Sequence, residues 1–336
     1  MTASGPRPPR HRDILGAPYT AETLELPDDE EGKVVATLVR RPAGSGGAAR
    51  RTTKAVLHVH GFADYFFQTA YAEWWTQRGY DFYALDLRKY GRSILPHQTP
   101  NYVADLAHYY PELDLAWDRV TSGHRHVVLS GHSTGGLTLP LWAQARGLGT
   151  GEAGPRGMAL NAPWFDLQGK AWVRLGLTPV VQQVAKRQPM RVIPRTVTGL
   201  YARSIHHDHD GEWDFDLQWK PVDSWPAYAG WLAAIRRGHT ALHRGLSLPF
   251  PALVLSSAAS TTPTVMGEDV HSTDIVLDVE QIRRWSTALG NHVTYVGIQG
   301  ARHDVFLSRE EPRSRAFAEL ARWLTAYVEG GDALLR

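Results

Sequence analysis

Short apolar runs alternate with longer amphipathic stretches along most of this chain. Thr23 to Leu26 and Val34 to Arg41 read as strands separated by the acidic turn Pro27 to Gly32, and Ala43 to Ala49 is a small-residue loop. The rhythm then changes. Ala55-Val56-Leu57-His58-Val59-His60 is a buried-strand run closing at Gly61, followed by helical spacing of Tyr71, Trp74 and Trp75 up to Gly79. Further strands are predicted at Phe82 to Asp86, His126 to Ser130, Met158 to Leu160, Ala252 to Ser256 and His292 to Val296. Helices are predicted over about Val103 to Thr121 and Pro312 to Tyr327. Such alternation predicts an α/β fold whose mainly parallel sheet is covered on both faces. Pro163 to Pro249 breaks the pattern with half of the twelve tryptophans (Trp164, Trp172, Trp213, Trp219, Trp225 and Trp231). It reads as an insertion over the sheet whose aromatics either line a pocket or, the favoured reading for any single one, pack it down. The organisation expected is a flexible tail over 1–22, a core of 23–162 and 250–336, and a cap of 163–249.

Composition narrows the function. Of 336 residues, 43% are hydrophobic and 21% charged, an ordinary globular balance, and no apolar run is long enough to span a membrane. Neither signal peptide nor anchor is visible near Met1 to Arg12, so a cytoplasmic protein is expected. The net charge of +2 provides no field for nucleic acid or an anionic membrane. Only six of the 36 basic residues are lysines, which does not alter that balance. With no cysteine, disulfides, thiol nucleophiles and thiolate metal sites are all excluded.

The chemistry concentrates in Ser130-Gly131-His132-Ser133-Thr134-Gly135-Gly136, a Gly-x-Ser-x-Gly segment between a strand and a helix-compatible stretch. A serine oxygen held clear of a sheet edge needs a sharp turn, and side chains at the flanking positions would strike neighbouring strands. Serine also needs a base. His303, in Gly300-Ala301-Arg302-His303-Asp304, follows the last strand and can reach back over the sheet. His58 and His60 lie on a strand, His132 flanks the nucleophile, and His206, His207 and His209 lie in the insertion. The carboxylate that orients the imidazole should follow the strand at Ala252, yet no acid occurs from Ser257 to Gly267. Asp274 is the first choice among the acids that come next, then Asp269, with Asp166 a remote third and Asp278 suited to a helix N-cap. The backbone N–H groups of Phe62, after His60-Gly61, and of Thr134 are the expected oxyanion donors. The loop Ser204 to Asp214 is rich in His and Asp, but these neighbours cannot all face one ion and no helical His-x-x-x-His pair accompanies them, so no metal or other cofactor is expected.

Together these residues resemble the α/β-hydrolase superfamily, within it the monoacylglycerol-lipase-like branch also labelled serine aminopeptidase S33. The resemblance runs from about Thr23 to Tyr327. It rests on His60-Gly61-Phe62, on Asp86 to Ser93 (similar to an Asp-x-Arg-Gly-x-Gly-x-Ser loop, with Lys89 where glycine is usual), on the Ser133 segment, on Asp274 to Asp278 and on Gly300 to Asp304. The similarity of Asp274 to Asp278 to the branch's Asp-x-x-x-Asp segment is what ranks Asp274 above Asp269. It implies a serine hydrolase acting on carboxylic esters of small molecules; an acyltransferase, an amidase or peptidase, or a non-catalytic homologue would use the same frame. Two departures stand out: the acid lies 17 positions beyond Ser257, making 258–273 an extra excursion, and the insertion is long.

Overall fold

The computed structural model describes residues 10–44, 51–151, 154–168, 171–194 and 199–330, without the side chains of 171–178. The side chain of Trp172, part of the Ala43 to Ala49 loop and residues 1–9 of the expected tail therefore lie outside the described residues. Nine strands form one sheet: β1 (His11–Arg12), β2 (Thr20–Glu25), β3 (Val35–Arg41), β4 (Lys54–Val59), β5 (Tyr80–Asp86), β6 (His126–His132), β7 (Gly157–Asn161), β8 (Ala252–Ser257) and β9 (Val293–Ile298). Their order is β1-β2-β3-β5-β4-β6-β7-β8-β9. Pairing is antiparallel from β1 through β3 to β5, and parallel from β5 to β9.

The central strands are buried on both faces, hence their unbroken apolar runs. Side chains still alternate between faces. Val56, Val128 and Leu253 share one cluster with Trp75 of α1 (Thr69–Gln77) and with Leu320 and Trp323 of α9 (Glu310–Trp323). Leu57, Leu129 and Val254 face the opposite cluster, with Leu113 of α2 (Tyr110–Thr121), Leu137 of α3 (Thr134–Ala145) and Ile282 of α8 (Val279–Ser286). The insertion carries α4 (Ala171–Arg187), α5 (Leu200–Ile205) and α6 (Ala229–His243), and the excursion carries α7 (Glu268–Ser272).

Two expectations change. Residues 10–22 are not a free tail: β1 pairs with β2 (His11 opposite Ala21), and Asp13 receives Arg92 Nε at 2.6 Å and Nη2 at 2.8 Å. The cause is this bidentate pair and the burial of Tyr19, neither of which a Pro/Arg-rich sequence announces. The helix expected from Val103 begins at Tyr110, after a single 3₁₀ turn over Leu106–Tyr109. Pro111 sits in the first turn of α2, where a missing N–H costs nothing.

The chain crosses from β5, on one side of β4, to β6 on the other. That reversal opens a crevice at the carboxyl ends of β4 and β6. His60-Gly61-Phe62 and Ser133 both lie there.

Candidate active site

Ser133 joins β6 to α3 with φ 51° and ψ −114°, a conformation that costs about 1–3 kcal/mol for a residue with a side chain. The neighbourhood holds it there. Its N–H donates to Asn161 O at 3.0 Å, and its carbonyl accepts from Trp164 N–H at 3.0 Å. Close packing explains the glycines. A Cβ on Gly135 would run into the backbone carbonyls of Val59 and His60, and one on Gly61 would lie 2.9 Å from Ser133 Cβ. The turn after β4 is thereby pressed against the serine.

His303 Nε2 lies 3.1 Å from Ser133 Oγ, and its Nδ1 lies 2.8 Å from Asp274 Oδ2. All three side chains are buried. Asp274 Oδ1 accepts the N–H groups of Val276 and Leu277, both at 2.8 Å, so the carboxylate is held from both sides. The other acids are occupied elsewhere: Asp269 Oδ1 accepts Val270 N–H, Asp166 pairs with Arg236 at 2.6 Å, and Asp278 caps α8 through Glu280 N–H. The excursion does not carry Asp274 away from the site because its neck is closed. Asp274 N–H donates to Ala259 O at 2.9 Å, and Thr261 N–H donates to Asp274 O at 3.2 Å.

Of the other histidines, His58 is fully buried against Ser130 Oγ at 2.9 Å, and burial, with His132 and His60 nearby, pushes its pKa down to about 3. Burial also lowers that of His132, whose ring leans on His303 at 4.9 Å. His206, His207 and Asp208 cluster at metal-ligand spacing. Yet His206 Nδ1 accepts Asp208 N–H and its Nε2 faces Phe215 O at 3.0 Å, so both ring nitrogens are engaged.

Several residues escaped the sequence reading. Leu87 N–H can only donate, so His60 Nε2 accepts it (3.0 Å) and Nδ1–H donates to Gly61 O (2.8 Å). In a trans peptide the carbonyl and the next N–H point opposite ways, so fixing Gly61 O also aims Phe62 N–H. Asn161 joins the two loops: its carbonyl takes Ser133 N–H, while its side chain bonds Asp304 Oδ1 (2.6 Å) and Val305 N–H (3.1 Å). Asp64, two residues past Phe62, pairs with Lys220 of the insertion at 2.9 Å. Burial opposes the charge, but Lys220, helped by His132 and His60, holds the Asp64 pKa down to about 2. The sequence signal for these is the motif neighbourhood alone; their partners are too distant along the chain to be inferred.

A sequence model of the serine aminopeptidase S33 family matches residues 50–310, well over half of the chain. The chain belongs to this family. No curated protein gives a significant sequence match to it. Among solved structures, it is similar to a soluble variant of the monoglyceride lipase of Saccharomyces cerevisiae in complex with a substrate analogue (16% identity, covering 96% of this chain and 99% of that one, TM-score 0.65). It is also similar to the monoacylglycerol lipase of Paleococcus ferrophilus (16%, 86% and 98%, TM-score 0.60) and to a thermophilic esterase from Thermogutta terrifontis (16%, 91% and 99%, TM-score 0.55). At such identities the likeness is one of fold, the α/β-hydrolase fold. Against it, the oddity at Lys89 has a physical account. Lys89 takes φ 64°, where glycine is usual, and its ammonium is held by Asp29 at 2.7 Å and by Glu31, both from the acidic turn.

The insertion is bound down by aromatics. Trp231 packs on Phe62 (4.1 Å between rings) and Trp164, Trp219 meets Tyr65 edge-on, and Trp213 Nε1–H donates to Leu307 O at 2.9 Å. Tyr201 sets its ring edge-to-face with His303 at 5.5 Å. Among the described residues no helix is long and apolar enough to cross a membrane.

Proposed function

We propose that this family member hydrolyses carboxylic esters through an acyl-enzyme on Ser133, without metal or other cofactor. The observation that carries the reading is the unbroken relay from Asp274 Oδ2 through both nitrogens of His303 to Ser133 Oγ, at 2.8 and 3.1 Å. Ser133 Oγ attacks the ester carbonyl as His303 Nε2 takes its proton; the same nitrogen then protonates the leaving alcohol. Asp274, held by two backbone N–H groups, keeps the proton on Nδ1 and stabilises the imidazolium. Phe62 and Thr134 N–H receive the oxyanion, each worth on the order of 10²–10³ in rate. Water repeats the sequence on the acyl-enzyme. The insertion serves as a cap, laying Trp231 against Phe62 and Tyr201 against His303, aromatic surface that suits an acyl chain better than a charged group. Monoglyceride lipases among the structural neighbours make monoacylglycerols the first natural substrates to try.

The test is a panel of p-nitrophenyl esters of increasing chain length, monoacylglycerols and aminoacyl p-nitroanilides, with and without an added alcohol. Turnover of the esters to free acid, lost in Ser133→Ala, is expected. Turnover of the anilides alone would assign a peptidase, and an acylated alcohol as main product a transferase.

A further inference from the structure

Among the described residues, each buried lysine or arginine has a carboxylate, except one. Arg88 pairs with Glu112 at 2.7 Å, Lys89 with Asp29 and Glu31, Lys220 with Asp64 and Arg236 with Asp166. Arg302 is 3% exposed and has none. Its Nη1 donates to Leu307 O at 3.1 Å, its Nη2 to His271 Nδ1 at 2.7 Å, and its Nε finds no partner. Burying a guanidinium against a neutral imidazole is costly without a reason. A free anion is disfavoured as the missing partner, because Asp210, Glu212 and Glu310 line the 470 Å³ pocket that Arg302 borders.

Position supplies the reason. Arg302 precedes His303, and His271 lies on α7, three residues before Asp274. A second, exposed tie joins the same two segments, from Arg309 Nη1 to Glu268 Oε1 at 2.6 Å. We propose that the 258–273 excursion is a latch: His271 and Arg302 are positioning residues that lock the acid-bearing neck to the base-bearing loop, and the latch closes only while His271 is neutral. This rests on the reading of Ser133, His303 and Asp274 given above.

The chemistry of the contact sets the condition. Arg302 has only donors, so His271 Nδ1 must offer a lone pair. Protonated, it would turn an N–H toward a guanidinium that cannot give up its own charge. The charged groups facing His271 are Arg302 beside His303, Arg309 before α9, Glu268 on α7 itself and Asp210 from the insertion. Burial, then the two arginines, outweigh the two carboxylates and hold its pKa below the ordinary 6.5. The latch is therefore shut at neutral pH and opens as the pH falls through the His271 value. Opening of the latch steepens the acid limb of kcat by the one proton that His271 binds.

The experiment compares pH profiles of ester turnover in the wild type, His271→Gln, His271→Ala and Arg302→Met, alongside the NMR signal of the His303 Nδ1 proton. The amide oxygen of His271→Gln accepts from Arg302 at every pH. It should keep the neutral-pH kcat, follow an acid limb one proton shallower than that of the wild type and retain the Nδ1 signal into acid. His271→Ala and Arg302→Met should lose about 10–10² in kcat with KM little changed, as expected for sub-ångström misplacement, and the double variant should be no worse than the weaker single. A wild-type kcat and profile in His271→Ala, or identical acid limbs in the wild type and His271→Gln, would overturn the latch. A wild type without ester turnover would instead overturn the reading of the site, while the Nδ1 signal still reports on the latch.

Discussion

Ser133 stands one residue beyond β6, and most of what fixes it lies within seven residues of sequence or on the two adjoining strands: Gly131, Gly135, the turn after β4, and Asn161 at the end of β7. Asp274 stands 17 positions beyond β8 and reaches His303 because Ala259 and Thr261, far back along the chain, close a neck behind it, while its near neighbours Val276 and Leu277 hold the carboxylate. Both ends of the relay reach hydrogen-bond distance. One is held in a strained conformation by tight backbone packing, the other by a set of hydrogen bonds around an added loop. A position made of local backbone is rigid and leaves a motif; a position made of long-range bonds is adjustable and leaves almost none.

That contrast can be broken most directly at the serine itself. Ser133→Ala should reduce ester turnover by about 10⁶ while leaving the fold and melting temperature intact, since a single hydroxyl is removed. Residual turnover near wild type, measured on a short p-nitrophenyl ester, would place the nucleophile elsewhere. Next in size is the long-range tie at the turn after β4. Lys220→Met strands Asp64 as a buried unpaired carboxylate and should cost about 3–5 kcal/mol in urea unfolding. The sign with pH follows from the Asp64 pKa of about 2, below the ordinary 3.8. The pair's contribution is complete above 3.8 and disappears as pH falls toward 2, so the gap between wild type and variant should narrow over that range. A gap independent of pH would show that the pair does not carry it.

The elbow's packing is tested by Gly135→Ala, whose methyl meets the carbonyls of Val59 and His60. A loss of about 1–3 kcal/mol is expected from overpacking, with kcat falling as the serine shifts. An unchanged unfolding midpoint would contradict the local account. The smallest effect belongs to the neck: Ser260 Oγ–H donates to Leu277 O and the oxygen accepts Val279 N–H, both at 2.8 Å. Ser260→Ala should cost about 1 kcal/mol and a modest part of kcat, readable as a lowered melting temperature. No change in either would mean that the neck is set by Asp274 alone.

Legibility in the sequence followed the same division. The parallel strands were visible because burial on both faces leaves continuous apolar runs, and the Ser133 turn because its geometry admits only small neighbours. His303 was visible from its place between the last strand and last helix. Asp274 outranked Asp269 only by resemblance to a family segment; no periodicity or spacing reveals that Ala259 and Thr261 return to meet it. The engagement of Asp13 by Arg92, the ion pair of Lys220 with Asp64, and the roles of His60 and Asn161 depend on pairs separated by 27 to 156 positions or on backbone atoms. Hydrophobic patterning does not encode such pairs. The start of α2 moved to Tyr110 because Pro111 favours a first turn over a helix interior, a cue present in the sequence but outweighed there by the apolar spacing that begins at Val103.

Whether Asp274 serves His303 across the excursion is tested most directly by fluorophosphonate labelling of Ser133, mapped by mass spectrometry in the wild type, Asp274→Asn and Asp269→Asn. The adduct should form on Ser133, about 10⁴ times more slowly in Asp274→Asn and at the wild-type rate in Asp269→Asn. An adduct on another serine, or slowing by Asp269→Asn with Asp274→Asn unaffected, would contradict it.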